Sequence, residues 1–305
     1  ENSNEVIKKL FLTFAHNSKT DFLMKKSTIL VIFLFIFVLI RAQQFTDEKY
    51  ALTTTATSVG AGFITLLDPY LSPFEYKGFE MRIENKSRRF FNPDNDKLSY
   101  SHRMYLELGK GNHPSGKNSM LFFNTNYMYG LNYHMRPVEN LMILAGGSWD
   151  IDLGGKYLGR NVNNPFSLDF FSDLNATAEI QYEFDLKNRS IRIQYGAVCP
   201  VAGFMFVPMQ NVSYYELFVL DNTKNAFHFS SVHNKRAWYQ YLNLDIPFKS
   251  NTLRLSLQHD YQKYSANEVI YRKNAISLSV GAVMHLYTFR GNKDRIPTHF
   301  IHSYE

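Results

Sequence analysis

Apolar and polar residues alternate along most of the chain beyond residue 43. In residues 252–264, Leu253, Leu255, Leu257 and Tyr261 fall on one side, while Arg254, Ser256, Gln258, Asp260 and Gln262 fall on the other. A period of two marks a strand with one apolar and one polar face, because successive strand side chains point to opposite sides. Residues 176–186 repeat the pattern, with Ala178, Ile180, Tyr182, Phe184 and Leu186 opposite Thr177, Glu179, Gln181, Glu183 and Asp185. The same alternation predicts strands over 78–85, 99–108, 120–133, 190–198, 238–248 and 275–289, with weaker ones over 51–66 and 141–150. Turn-formers such as Asn92-Pro93-Asp94 and Lys187-Asn188-Arg189 separate them.

Half-apolar strands build either a soluble barrel with its apolar faces inside or a membrane barrel with those faces outside. Length favours the membrane. The runs at 120–133 and 275–289 exceed a dozen residues, against a mean of about 5–6 in soluble proteins and a need of roughly 9–11 to cross a bilayer. The chain also holds 26 Phe and 20 Tyr, many near strand ends, where amphipathic rings suit a membrane interface. The expected fold is an all-β, antiparallel transmembrane up-and-down β-barrel of about twelve strands, with ten as the other count. Twelve requires strands at 214–220 and 226–232 joined by a turn at 221–225. Outer connections are expected at 68–76, 109–117 and 152–173, and periplasmic turns at 92–97, 134–139, 187–189 and 249–251. A soluble secreted barrel holding an apolar ligand remains the alternative, and the side on which Leu253, Leu255 and Leu257 lie decides between them.

The front of the chain reads differently. Met24-Lys25-Lys26, an apolar run over 28–40 and Ala42 form a secretory pattern, and the run is shorter than the roughly 20 residues of a membrane helix. Residues 24–42 are therefore expected to be a signal peptide, residues 1–23 to lie upstream of the true start, and residues 43–305 to form one barrel domain in a bacterial outer membrane. Its partners would be outer-membrane lipid and, during biogenesis, the barrel-assembly machinery.

Charge and chemistry add mainly exclusions. The net charge of +6 includes leader lysines, and no basic stripe interleaved with aromatics suggests nucleic acid. The single cysteine, Cys199, rules out a disulfide framework and, by its position, a lipoprotein anchor. His102, His134, His259 and His285 lie on or at the end of separate predicted strands without metal-binding spacing, so no metal or cofactor is expected. The polar faces carry Glu80, Arg82, Glu84, Arg103, Glu107, Glu179, Glu183, Arg192, Arg254 and Asp260. These are expected to line a lumen filled by ion pairs rather than an open pore.

Sites on a barrel favour its irregular connections. Two stretches, one ending at Asn163, Asn164 and Pro165, the other running from Cys199 and Pro200 through Phe206 to Tyr214, Tyr215 and Glu216, are apolar for loops and are expected to fold over the mouth. His228-Phe229-Ser230 followed by Asn234 resembles the His-x-Ser element of outer-membrane phospholipase A, which implies a serine nucleophile, Ser230, activated by His228 and oriented by Asn234. However, Phe227 and Phe229 claim the outer face and send His228 and Ser230 inward. Ser231-Val232 also replaces the Asn-Gly pair of that family.

Over nearly all of the mature chain, a set of motifs resembles an outer-membrane barrel family of Bacteroidetes, a domain of unknown function. The set comprises Asn163-Asn164-Pro165, Gly196, Cys199-Pro200, Gly203, Phe206 to Pro208, Ser213 to Glu216 and Leu244-Asp245-Ile246-Pro247. The resemblance implies fold and location but no reaction. The expected function is a non-enzymatic structural, binding or narrow-transport role, with an outer-membrane lipid hydrolase using Ser230 and His228 as the alternative.

Overall fold

Each alternating segment becomes one stave of a closed antiparallel sheet. The structure, a computed structural model, describes residues 49–161, 164–187, 189–210, 212–223, 225–248, 251–287 and 299–303. The leader expected at 24–42 lies outside them. A short β1 (Lys49–Ala51) precedes the wall strands β2 (Thr53–Asp68), β3 (Ser72–Asn92), β4 (Asn95–Asn112), β5 (Ser119–Val138), β6 (Leu141–Tyr157), β7 (Phe166–Leu186) and β8 (Arg189–Phe206). After α1 (Tyr214–Phe218) come β9 (Phe227–Ser231), β10 (Lys235–Pro247), β11 (Thr252–Ala266), β12 (Val269–Leu286) and β13 (His299–Ile301). Consecutive strands pair from β2 to β9 and from β10 to β12, β12 returns to β2, and β8 pairs with β10 to close the wall. β1 pairs in parallel with β13 as a separate two-stranded ribbon.

The wall therefore closes at ten strands, and the additional strand β9 lies along the upper part of β8 in line with β10. Twelve fails for a local reason. Residues 214–218 are helical, started by a capping box in which Ser213 and Glu216 bond each other's backbone, and the supposed turn at 221–225 belongs to the same connection as the helix. Cys199, Pro200 and Phe206 sit within β8, not in a loop, because their ladder with β7 continues to Phe170↔Phe206. The expected outer connections are likewise shorter than their predicted bounds, since β3, β4, β6 and β7 extend as paired strands where the apolar alternation fades.

The apolar faces point out. Leu255 is 42% and Leu257 43% exposed, whereas Glu179 is 5% and Arg254 3% exposed. In register, Leu242, Leu257 and Leu278 lie side by side on this outer belt. The arrangement with leucines inside, required by the soluble alternative, is not adopted.

The two ends differ. At one end the staves are joined by tight connections, with Asn140 and Lys187 in the left-handed region (φ 65° and 48°) that turn residues such as Asn tolerate. At the other end lie residues 207–210, 212–223 and 225–226, a strap tied to neighbouring turns and to β7. The Tyr70 hydroxyl donates to the Val212 carbonyl at 2.8 Å, and the Leu168 N–H donates to the Tyr214 hydroxyl at 2.5 Å. The Asn267 amide donates to the Val207 and Asn225 carbonyls at 2.8 and 2.7 Å. Burial and the nearby Asp68 carboxylate push the Tyr70 hydroxyl up to about 12, so it stays a donor across ordinary pH. Below the strap, Tyr76, Met120, Phe122, Phe171, Met205, Tyr264 and Tyr271 form an apolar plug inside the barrel.

Because Asn267 has φ 50°, Asn267→Gly keeps the turn while removing both strap bonds. It is expected to weaken strap docking by about 1–3 kcal/mol. Hydrogen exchange should accelerate within 207–226 while the wall strands keep their protection.

Candidate functional site: a polar lumen with an internal cavity

Beneath the aromatic plug many of the inward positions are polar, and most of their charges meet across the barrel. Arg82 is 2% exposed and donates to Asp260 at 2.8 Å and to Gln258 at 3.3 Å, with its guanidinium over the Tyr105 ring at 4.0 Å. The Tyr239 hydroxyl donates to Glu84 at 3.0 Å. Lys273 bonds Glu107 at 2.5 Å. Lower down, Glu179 gathers Arg88 at 3.0 and 2.8 Å, Lys86 at 2.9 Å, the Tyr241 hydroxyl and the Gln181 amide. Arg254 grips Asp245 through two bonds of 2.7 and 2.6 Å and reaches Gln194 at 3.0 Å, the fork geometry that makes arginine–carboxylate pairs strong. Arg192 pairs with Glu183 at 2.6 Å. Near the strap, Lys156 bridges Asp68 at 3.1 Å and Asp169.

The structure thus places Glu80, Arg82, Glu84, Arg103, Glu107, Glu179, Arg254 and Asp260 in the lumen, with Arg192 and Glu183 towards its tight-turn end. Several of their partners, including Lys86, Arg88 and Lys273, do not appear among the residues singled out from sequence. The signal was available for two of them. Lys86 and Arg88 keep the parity of Glu80, Arg82 and Glu84, and were missed because the predicted strand stops at Asn85 where β3 continues to Asn92.

The catalytic candidates do not assemble. Phe227 and Phe229 are exposed on the outer face, whereas Ser230 is buried and donates to Asp173 Oδ1 at 3.1 Å, not to His228. Lys235 holds the other oxygen of Asp173. Asn234 caps its own turn, accepting from the Ser231 N–H at 2.9 Å and donating to the Phe229 carbonyl at 2.8 Å. Of the expected loop residues, Asn164 and Pro165 lie in the β6–β7 connection, Tyr214, Tyr215 and Glu216 in α1, and Asn163 outside the described residues. The Glu216 carboxyl is held below the usual range by hydrogen bonds from the Ser213 backbone and hydroxyl, which serves the helix cap. No three His, Cys, Asp or Glu side chains are grouped to hold a metal among the described residues.

What the lumen does contain is a cavity of about 80 Å³ between Asp150, Asp152, Asn175, Arg103, Lys235 and Tyr239. Asn126 donates to Asp150 at 3.2 Å and to Asp152 at 3.3 Å, and the Tyr105 hydroxyl donates to Asp152 at 3.1 Å. A smaller space of about 20 Å³ lies beside Arg88, Glu179 and Tyr241. The first is large enough for a few waters or a small polar molecule. It is far too small to be a pore.

The profile of a family described as "Protein of unknown function (DUF3316)" matches residues 29–293. No curated protein matches the sequence. Among solved structures, the chain is similar to the transport unit of the autotransporter AIDA-I from Escherichia coli, with 8% identity and TM-score 0.43 over 80% of this chain and 93% of that one. It is also similar to the outer membrane protease OmpT from Escherichia coli, with 5% identity and TM-score 0.40 over 80% of this chain and 100% of that one. An outer membrane channel from Pseudomonas putida F1 shares 11% identity and TM-score 0.34 over 80% of this chain and 99% of that one.

Removing one partner of a buried ion pair strands the other. Glu179→Gln leaves Arg88 and Lys86 without their shared carboxylate and is expected to destabilise the barrel by about 3–5 kcal/mol, read as a lower urea midpoint for loss of the folded gel band.

Proposed function

We propose, for a chain that belongs to the DUF3316 family of proteins of unknown function, the role of an outer-membrane barrel whose closed lumen binds a small polar molecule and does not conduct. The supporting observation is the inversion of the two faces. Long staves, paired along most of their length, carry leucine, phenylalanine and tyrosine outwards, and inwards they carry charges most of which meet in pairs. A surface of this kind is stable where hydrocarbon is the outer solvent, because a closed wall leaves few backbone groups unpaired. The end with tight connections faces the periplasm and the end with the strap faces outwards, following the length difference common to such barrels. Residues 24–42 direct export, and lipid and the barrel-assembly machinery are the partners of insertion.

The strap, the aromatic plug and the ion pairs block an axial path, so binding rather than passage is the role left to the polar interior. The hydrolase alternative has little geometric support, since Ser230 and His228 are not hydrogen-bonded to each other and both point away from lipid.

Expressed with its leader, the protein is expected to fractionate with outer membranes, to migrate faster unheated than boiled, and to give no conductance steps in planar bilayers. A soluble periplasmic product would overturn the reading. Leu278, 67% exposed, lies near the middle of the belt, so Leu278→Arg is expected to cost about 2–4 kcal/mol in lipid vesicles. Phospholipid release should be the same from the wild type and from Ser230→Ala, and a loss on substitution would reinstate the hydrolase.

A further inference from the structure

The wall has a seam. The ladder between β8 and β10 ends at Val198↔Tyr239, and the ladder between β8 and β9 begins at Ala202↔Ser231. Between these points residues 199–201 of β8 face residues 232–238 with no paired register, although β7 still pairs with Cys199 and Pro200, and β11 with Lys235 to Trp238. Pro200 has no N–H to offer. Backbone groups left unpaired in hydrocarbon cost several kcal/mol each, and irregular backbone is tolerated at membrane depth where it lines a cavity. The cavity of about 80 Å³ is directly inside, touching Val198 and Pro200 on one edge of the seam and Lys235, Ala237 and Tyr239 on the other.

The lining has a definite chemical bias. Asp150 Oδ1, Asn124 Oδ1, Asn175 Oδ1 and Asp260 Oδ1 have no hydrogen-bond partner, against the single donor Arg103 Nε. Asn175 is 5% exposed, so its free oxygen has no recourse to bulk water. Neither Asp150 nor Asp152 forms an ion pair among the described residues, and both depend on neutral donors. Of the cations of the lining, Lys235 is held by Asp173 and Lys273 by Glu107, while Arg103 bonds Asn126 and lies over the Tyr239 ring at 4.0 Å, leaving it alone against the two carboxylates of Asp150 and Asp152. Surplus acceptors and a surplus of one negative charge call for a donor-rich cation, because buried charges need a partner.

We propose that this cavity is a binding site for a primary ammonium group carrying a further hydroxyl or amine donor, and that the group arrives sideways through the β8–β10 seam. The inference rests on the binding-barrel reading and names its ligand class. Free amines in solution and the amine head group of a lipid share this chemistry.

The test is titration calorimetry of the folded barrel in detergent micelles with ethanolamine, with tetramethylammonium (charge without donors) and glycerol (donors without charge) as controls. Ethanolamine is expected to bind, and each control to bind at least about tenfold more weakly. Asp150→Asn combined with Asp152→Asn should lose about tenfold or more in affinity while its unfolding temperature holds or rises, since two unpaired carboxylates have been removed. Asn175→Ala, away from the acid pair, should also weaken binding. Absence of ethanolamine binding, or equal binding by the double variant, overturns the site. The membrane reading stands or falls separately on fractionation and gel migration. Nanodiscs with and without phosphatidylethanolamine distinguish the sources, since head-group occupancy would lower the apparent affinity for added ethanolamine only in the former. Cys199 and Trp238 take the outward parity next to the inward pair Val198 and Tyr239. Joining Cys199 to a cysteine introduced by Trp238→Cys with a bifunctional maleimide should therefore slow ethanolamine association, and an unchanged rate overturns the lateral route.

Discussion

The structure depends on pairing charge in a place water barely reaches. A barrel that turns its leucines outwards must turn its polar residues inwards, and an unpaired ion inside costs more than most single contacts can return. The lumen meets this constraint with long-range pairs: Arg82 with Asp260, Glu179 with Arg88 and Lys86, Arg254 with Asp245, Lys273 with Glu107. Tyrosine rings and hydroxyls fill the gaps between them, as Tyr105 does below Arg82 and Tyr241 beside Glu179. Such a network adds little net stability over an apolar filling, but it penalises any register in which one partner is displaced.

The same constraint gives the exceptions their meaning. Where Asp150, Asp152 and Asn175 surround a cavity with acceptors left over, the pairing that most charges of the lumen find is relaxed. The relaxation coincides with the stretch of wall where β8 and β10 do not pair. A local departure from good pairing in an otherwise consistent structure is where function is expected to reside. The strap and aromatic plug strengthen the case by closing the axial end, which leaves the side of the barrel as the shorter path to the interior.

Much of this was legible along the chain. Strand alternation is a local property, set by a backbone that sends neighbouring side chains to opposite faces, so the sidedness of Leu253, Leu255, Leu257 against Arg254, Ser256, Gln258 could be read without knowing any neighbour. The inward parity of Glu80, Arg82, Glu84, Arg103, Glu107 and Glu179 followed from the same rule, as did the inward turn of His228 and Ser230. The sequence also carried the capping signal of Ser213 and Glu216, but in a helix of five residues that signal is easily taken for the end of a strand.

What the chain by itself determined is therefore the strand character, the two faces and the polarity of the interior, all consequences of interactions within a few residues. Closure at ten strands, the role of β9 as the upper continuation of β10, the identity of each ion pair and the seam with its cavity were decided only in three dimensions. The reason is geometric: which inward charge meets which depends on circumference and stagger, quantities that exist only once the last strand has found the first.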